Sequence, residues 1–199
     1  MVVATLQAAI TKIFSDMNDM TSGGNKYCAD ELAGAIKDYI DSGVVTSTDD
    51  AGTIGTNTYK GSGIGKMEID ESKLASKLLE TFTKENLTDA DLADGLATNL
   101  DDICSEKDSV TTTTTGMQTT PSGASTPYVG SGIGTFQGNK SAISESLKTA
   151  FSAMGAMITG GNEVFSAALA TSINTYLTSG SINITLQLPI TGTATGKIA

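Results

Sequence analysis

The 199-residue chain contains no histidine and no tryptophan, and aromatic residues make up only 5% of it. Without histidine, Ser-His and Cys-His nucleophilic pairs and histidine-ligated metal centres are excluded. Because bulky side chains are scarce, Leu, Ile, Ala and Met must fill the core, which predicts thin helical layers that depend on neighbouring units. We therefore expect a protein that is not an enzyme and that holds no cofactor and no metal.

Cysteine is also scarce. Cys28 and Cys104 both fall in helical patterns, which favours two small buried thiols and leaves a disulfide between them as the alternative. The N-terminal residues show no basic region ahead of an apolar run, so we expect no secretory signal. No apolar run reaches the roughly 18 residues that a spanning helix requires, so we expect no membrane partner.

The charge balance is strongly acidic, with a net charge of −10 and a pI near 4.3. Such a surface repels phosphates and anionic lipids, which argues against direct binding to nucleic acid. The carboxylates cluster at Asp89, Asp91, Asp94, Asp101 and Asp102, but their spacing matches no metal-binding loop. We interpret the acidity as a contribution to solubility.

The motif Gly-Ser-Gly-Ile-Gly occurs twice, at residues 61–65 and 130–134, and a degenerate third copy spans residues 192–198. A phosphate-binding loop would need a glycine where Lys60 stands and Ser or Thr where Met67 stands, and Thr135 takes the place of Lys66 in the second copy. We therefore interpret the glycines as structural markers that close three copies of one unit. They are Gly61, Gly63, Gly65, Gly130, Gly132, Gly134, Gly192 and Gly196.

Helical spacing of apolar residues predicts six helices, at about residues 4–20, 28–41, 71–84, 88 through Ile103, 140–158 and 163–178. Asp70 is the expected N-cap of the third helix, and Thr88 with Asp91 suggests a capping box for the fourth. Strand character appears at residues 44–48, 56–59, 110–115, 128–129 and 182–188, with turns predicted at 49–52 and 117–127.

The opening and closing segments align without a gap, matching apolar stripe positions and glycine stops. The matches pair Phe14 with Phe151, Met17 with Met154, Leu32 with Leu169, Ile36 with Ile173 and Tyr39 with Tyr176. A more divergent middle copy places Phe82, Leu96 and Leu100 at the positions of Phe14, Leu32 and Ile36. We predict an α+β fold of three tandem helical-hairpin plus β-ribbon repeats, spanning residues 1–69, 70–138 and 139–199, which stack on one another or on other chains.

The pattern L-A-x-x-I-x-x-Y-[IL]-x-S-G-x-[VI], carried by residues 32–45 and 169–182 and followed by the glycine markers, resembles small virion structural proteins of tailed bacteriophages. The resemblance implies a capsid, neck or tail component with no catalytic residues, located in the virion after synthesis in the bacterial host cytoplasm. Its partners would be other virion proteins and further copies of itself, joined through β-ribbon and helix contacts. The alternative is a soluble binding or adhesion module that uses its β-ribbon edges.

Overall fold

The computed structural model describes residues 1–54, 56–155, 157, 159–187 and 192–199. Across these ranges the fold is mixed α and β, with six helices and one sheet of six antiparallel strands. The chain divides into a helical unit (Met1–Ile40, Ile69–Ile103 and Asn139–Leu177) and a strand unit (Asp41–Glu68, Cys104–Gly138 and Thr178–Ala199). The α+β class is confirmed, while the division at residues 1–69, 70–138 and 139–199 stays a prediction.

The helices form close to the predicted positions. They are α1 (Val3–Met17), α2 (Gly24–Asp41), α3 (Glu71–Phe82), α4 (Asp89–Cys104), α5 (Lys140–Met154) and α6 (Gly161–Ser179). The Asp70 carboxylate accepts a hydrogen bond from the Lys73 amide at 2.9 Å, which confirms the predicted cap of α3. At the start of α4, the Asp91 amide donates to Thr88 Oγ1 and the Thr88 amide donates to Asp91 Oδ2, which confirms the capping box.

Left-handed backbone conformations mark the turns between paired helices. Gly23 and Gly160 have φ values of 75° and 81°, and Asn86 has a φ of 55°. Glycine adopts this region without steric cost, and asparagine tolerates it better than most residues. The positive φ predicted at Gly23 is confirmed, but Gly23 precedes α2 and does not end α1, which ends at Met17 and is capped by Asn18 in a right-handed conformation. Ile158, the predicted end of the fifth helix, lies outside the described residues, but α5 ends at Met154 and Met157 is not helical, so the predicted helix is too long.

The core of the helical unit is built from aliphatic and very small side chains. Leu6, Ile10, Leu74 and Leu147 are at most 2% exposed. Several alanines are also fully or almost fully buried in this core. They are Ala29, Ala33, Ala93, Ala97 and Ala170. Because alanine contributes little buried apolar area, the interior agrees with the thin layers expected from the composition.

The first four strands are longer than the sequence indicated, and the fifth has the predicted length. They are β1 (Val45–Ile54), β2 (Asn57–Met67), β3 (Val110–Thr119), β4 (Ser125–Gln137), β5 (Ser181–Gln187) and β6 (Gly192–Ile198). The predicted turn at 49–52 is wrong, because Asp49 and Asp50 pair with Gly61 and Lys60. The predicted turn at 117–127 is also wrong in its extent, because Met117 pairs with Pro127. The predicted strand end at Leu188 lies outside the described residues.

The six strands close into a single antiparallel barrel in the order β1-β2-β3-β4-β5-β6. Closure is made by β1 and β6, where Val45 pairs with Ile198 and Thr48 with Thr195. The expectation of separate β-ribbons with open edges is therefore wrong. Because the barrel is closed, every strand has a neighbour on both sides. The backbone groups that an open sheet would expose at its edges are therefore hydrogen-bonded.

One layer of apolar side chains fills the barrel interior. Three cross-strand pairs supply it: Met67 with Val110, Phe136 with Ile182, and Ile198 with Val45. All six side chains are at most 3% exposed. Farther along the interior, the rings of Tyr59 and Tyr128 pack edge to face with centroids 5.7 Å apart. These side chains make the described interior a packed core.

Glycines occupy inward-facing positions between these two layers. On β2 the inward residues between Tyr59 and Met67 are Gly61, Gly63 and Gly65, because burial alternates along the strand. A Cβ atom at Gly65 would lie 1.9 Å from the Thr111 carbonyl oxygen. No side chain fits at that distance, so the close approach of β2 and β3 requires glycine there.

Two threonine hydroxyls are buried in the same interior. Thr112 and Thr114 point inward from β3 and are 4% and 1% exposed. Within the described part of the chain, neither Oγ1 atom has a hydrogen-bond partner. A buried hydroxyl without a partner carries a desolvation cost, so the barrel retains two destabilising groups.

We expect Gly65→Ala to lower the free energy of unfolding by at least about 2 kcal/mol, because the methyl group would collide with backbone atoms that cannot move independently. Gly130→Ala is the matched control. A Cβ at Gly130 would first meet the Thr114 hydroxyl at 3.1 Å, so we expect a change within about 1 kcal/mol. Urea unfolding of both variants measures the difference, and equal losses would contradict the close approach at Gly65.

We expect Thr112→Val to raise the free energy of unfolding by about 1 kcal/mol, because valine keeps the shape and removes the unpaired hydroxyl. Thr113→Val, on the exposed face of the same strand, should change it by less than about 0.5 kcal/mol. Chemical denaturation compares the two variants. Destabilisation by Thr112→Val would show that this hydroxyl is satisfied inside the barrel.

Candidate functional site

The glycine markers lie within strands. Residues 61–65 pair with β1 on one side and with β3 on the other. Their backbone amides therefore belong to the sheet, whereas a phosphate-binding loop presents free amides to its ligand. The glycines at positions 130, 132 and 134 lie in β4, and those at 192 and 196 lie in β6. The role of these glycines is steric, because a residue without a side chain leaves space for neighbouring strands and side chains.

The aspartates of α4 engage different partners. Asp91 caps its own helix and Asp102 accepts a hydrogen bond from Lys77 Nζ at 2.8 Å. Asp101 accepts a hydrogen bond from the buried Tyr176 hydroxyl at 2.7 Å. Among the described residues, no group of three or more Cys, Asp or Glu side chains could hold a metal ion. The predicted cluster is therefore a set of aspartates along one helix, of which Asp91, Asp94, Asp101 and Asp102 each make a separate contact.

Asp94 joins α4 to α5. Lys148 Nζ donates to both carboxylate oxygens of Asp94, at 2.8 and 2.9 Å, and the Ser144 hydroxyl also donates to Oδ1. The hydrogen bonds from Lys148 and then Ser144 hold the pKa of Asp94 below its usual range. Sequence analysis identified Asp94 and missed its partners, because nothing local links positions that lie about 50 residues apart.

Two buried tyrosines connect distant helices. The Tyr39 hydroxyl in α2 donates to Asn174 Oδ1 in α6 at 2.6 Å, and the Tyr176 hydroxyl in α6 donates to Asp101 in α4. Tyr39 and Tyr176 are 5% and 2% exposed. The alignment identified both tyrosines as matching positions, but it could not identify their acceptors. These contacts link the helical pairs to one another.

Both cysteines are free thiols and both are buried, so the disulfide alternative does not describe this structure. Burial raises the pKa of the Cys28 thiol to about 11. The thiolate is the nucleophilic form, so Cys28 is a neutral and weakly reactive group at neutral pH.

The outer face of β2, β3 and β4 carries exposed apolar side chains among threonines. Ile64 is 67% exposed, Val129 is 64% exposed and Met117 is 43% exposed. Thr113 and Thr115 lie between Ile64 and Val129 on the same outward face. We call these five residues the outer patch. An exposed group of apolar side chains on one face is a candidate contact surface.

Comparison with known proteins found no family model, no curated protein and no solved structure that matches this chain. None of the helices in the described ranges is long and apolar enough to cross a membrane.

The Asp94 cluster predicts a specific pH dependence. Because its pKa in the folded protein lies below the ordinary value of 3.8, Asp94 contributes stability above that value, and the contribution is lost as the pH falls through the folded-state pKa. The free energy of unfolding should therefore differ less between about pH 7 and about pH 3 in Asp94→Asn than in the parent protein. We expect the reduction to be less than about 1 kcal/mol, since the Asp94–Lys148 pair is partly exposed. Thermal unfolding across this range measures it. An Asp94→Asn variant whose stability changes with pH as much as the parent's would contradict this prediction.

Proposed function

We propose that this chain is a non-enzymatic structural protein of a tailed bacteriophage particle, present in several copies and assembled with itself and with other virion proteins. It would be made in the host cytoplasm and end in the virion. The resemblance carried by residues 32–45 and 169–182 supports this assignment. The acidic charge argues against a direct role in holding the genome.

We also infer that the chain is three tandem copies of one helix-helix-strand-strand module. Support comes from residues that align in the sequence: Lys37, Asp101 and Asn174 fall at one position of the proposed module, and Tyr39 and Tyr176 fall at another. Tyr39 of the first segment bonds to Asn174 of the third, and Tyr176 of the third bonds to Asp101 of the second. The same two aligned positions therefore form a hydrogen bond between the first and third segments and again between the third and second segments.

The barrel supplies the observation that carries the proposal. The second strand of each segment pairs with the first strand of the next, and the pairs Met67–Val110, Phe136–Ile182 and Ile198–Val45 occupy matching places in the register. The third segment returns to the first, so three modules close a ring within one chain. A barrel built this way has three related strand pairs around its axis, which suits a component of a particle with rotational symmetry.

Assembly through open strand edges is not part of this proposal, because the strands are paired within the barrel. The outer patch is the better candidate for contact. Its exposed aliphatic side chains can bury apolar area against a partner, while the flanking threonines supply hydroxyl groups for hydrogen bonds. Its position on the outward strand face leaves the packed interior undisturbed.

The alternative function is a binding or adhesion module. The observation that favours it is the run of outward hydroxyl groups on β3, at Thr111, Thr113 and Thr115. Such a surface could recognise a polar ligand at a cell surface without any assembly of the chain. Particle membership distinguishes the two functions, because only the structural role requires the protein in the virion.

We expect the purified chain to self-associate, and we expect Ile64→Asn and Val129→Asn to weaken this association by at least about tenfold, because each removes apolar area from the outer patch. Thr185→Asn on β5 is the matched control and should leave association unchanged. Light scattering over a wide range of protein concentrations measures the molar mass.

Quantitative mass spectrometry of purified phage particles provides the second test, with the chain expected in a fixed copy number per particle. A chain that is monomeric at every concentration and absent from purified particles would overturn the structural role. Absence from particles combined with tight binding to host cells would favour the adhesion module.

A further inference from the structure

A partly enclosed pocket of about 220 Å³ lies within the helical unit. Its walls come from five of the helices and from the turn between α3 and α4. The side chains that shape it most are Phe14, Met17, Cys28, Phe82, Leu92 and Phe165. The packed core of this unit therefore contains a space that its own side chains do not fill.

The origin of the space follows from the alignment. Cys28, Leu92 and Phe165 fall at one aligned position, and all three side chains line the pocket. The phenyl ring of Phe165 fills the space next to its own helix and packs against Phe14, with ring centroids 5.3 Å apart. Cys28 is the smallest of the three. A position that holds a ring in one segment holds only a thiol in another, and the missing volume remains as the pocket.

The wall of the pocket is almost entirely apolar, and none of the residues that line it is charged. The one polar amide among the lining side chains belongs to the exposed Asn25, whose Nδ2 donates to the Phe82 carbonyl oxygen at 3.0 Å. The thiol of Cys28 is neutral, since burial raises its pKa to about 11. A charged ligand would lose its hydration here without gaining a partner. The chemistry of the wall therefore selects neutral, apolar molecules.

The rim of the pocket provides a way in. Phe14, Met17, Phe82 and Leu92 are all only half-buried, so their side chains separate the space from solvent without sealing it. Methionine is flexible and polarisable, so Met17 can adapt to the shape of a guest. The deeper wall includes Leu32 and Leu96, which are 1% and 6% exposed.

We propose that this pocket is a binding site for a small, neutral, apolar molecule, of the size of a single or fused aromatic ring. An apolar cavity of about 150 Å³ accepts benzene in another protein, so a space of about 220 Å³ accommodates a guest somewhat larger than benzene. The site is independent of the proposed role in a virion and would exist in the isolated chain.

Indole, with toluene as a smaller probe, tests the site on the full-length protein. We expect saturable binding by ligand-observed NMR and a rise in melting temperature that grows with indole concentration. Cys28→Phe should place a ring in the empty space and weaken indole binding at least tenfold. Asp38→Phe introduces the same side chain at an exposed position of the same helix and should leave binding unchanged.

Thiol alkylation gives a second readout. Indole should slow the reaction of Cys28 with N-ethylmaleimide, measured peptide by peptide, at alkaline pH where a thiolate fraction exists. If Cys28→Phe fails to fold, Leu92→Phe fills the same space from α4. The proposal is overturned if indole and toluene do not bind saturably, if a folded Cys28→Phe or Leu92→Phe variant binds indole as the parent does, or if indole leaves the alkylation rate of Cys28 unchanged.

Discussion

The narrow interior of a closed six-stranded barrel is the constraint that governs the strand unit. Eight strands are needed before a barrel interior comfortably accommodates side chains from every strand. With six, inward glycines on one strand make room for inward side chains on its neighbours, as Gly132 does for Thr112 and Ile184. The ring of Met67, Phe136 and Ile198 with their partners fills one layer, and glycines at the next inward positions let the backbones approach. This explains why the glycine markers recur at a fixed distance before these three residues.

Local interactions made much of the fold predictable. The caps at Asp70 and Thr88, the turn at Gly23 and the helical stripes depend on residues within one or two turns of one another, so their patterns survive in the sequence. Strand extent was harder, because proline and glycine between residues 117 and 127 favour a turn. Pairing along β3 and β4 outweighs that preference, as Met117 opposite Pro127 shows. Barrel closure was missed because the partners Val45 and Ile198 lie 153 residues apart in the sequence.

For the candidate sites too, the sequence revealed residue types and local spacing but not contacts between distant segments. The sequence identified the residues that matter on α4 and the two aligned tyrosines, since their types and spacing are visible. It did not identify Lys148 and Ser144 as partners of Asp94, because such pairs depend on how helices pack. The pocket was beyond sequence analysis for a related reason. Cys28 was expected to be a small buried thiol, which is confirmed, but whether neighbouring side chains fill the space around a small residue is decided by three-dimensional packing.

On the proposed module, joining three copies in one chain has a consequence that a homotrimer lacks. Each aligned position can change independently, so one position carries Cys28, Leu92 and Phe165, and another carries Tyr39, Ile103 and Tyr176. All three residues at the first of these positions line one pocket, so in a homotrimer a residue as small as Cys28 would enlarge that space, and a residue as large as Phe165 would bring three rings into it. Divergence within one chain permits the pocket beside Cys28 and the Asp94–Lys148 contact to form without equivalents in the other segments, while the barrel register is retained. The closing strands therefore constrain the three segments to similar lengths and pairing, and the helices are freer to differ.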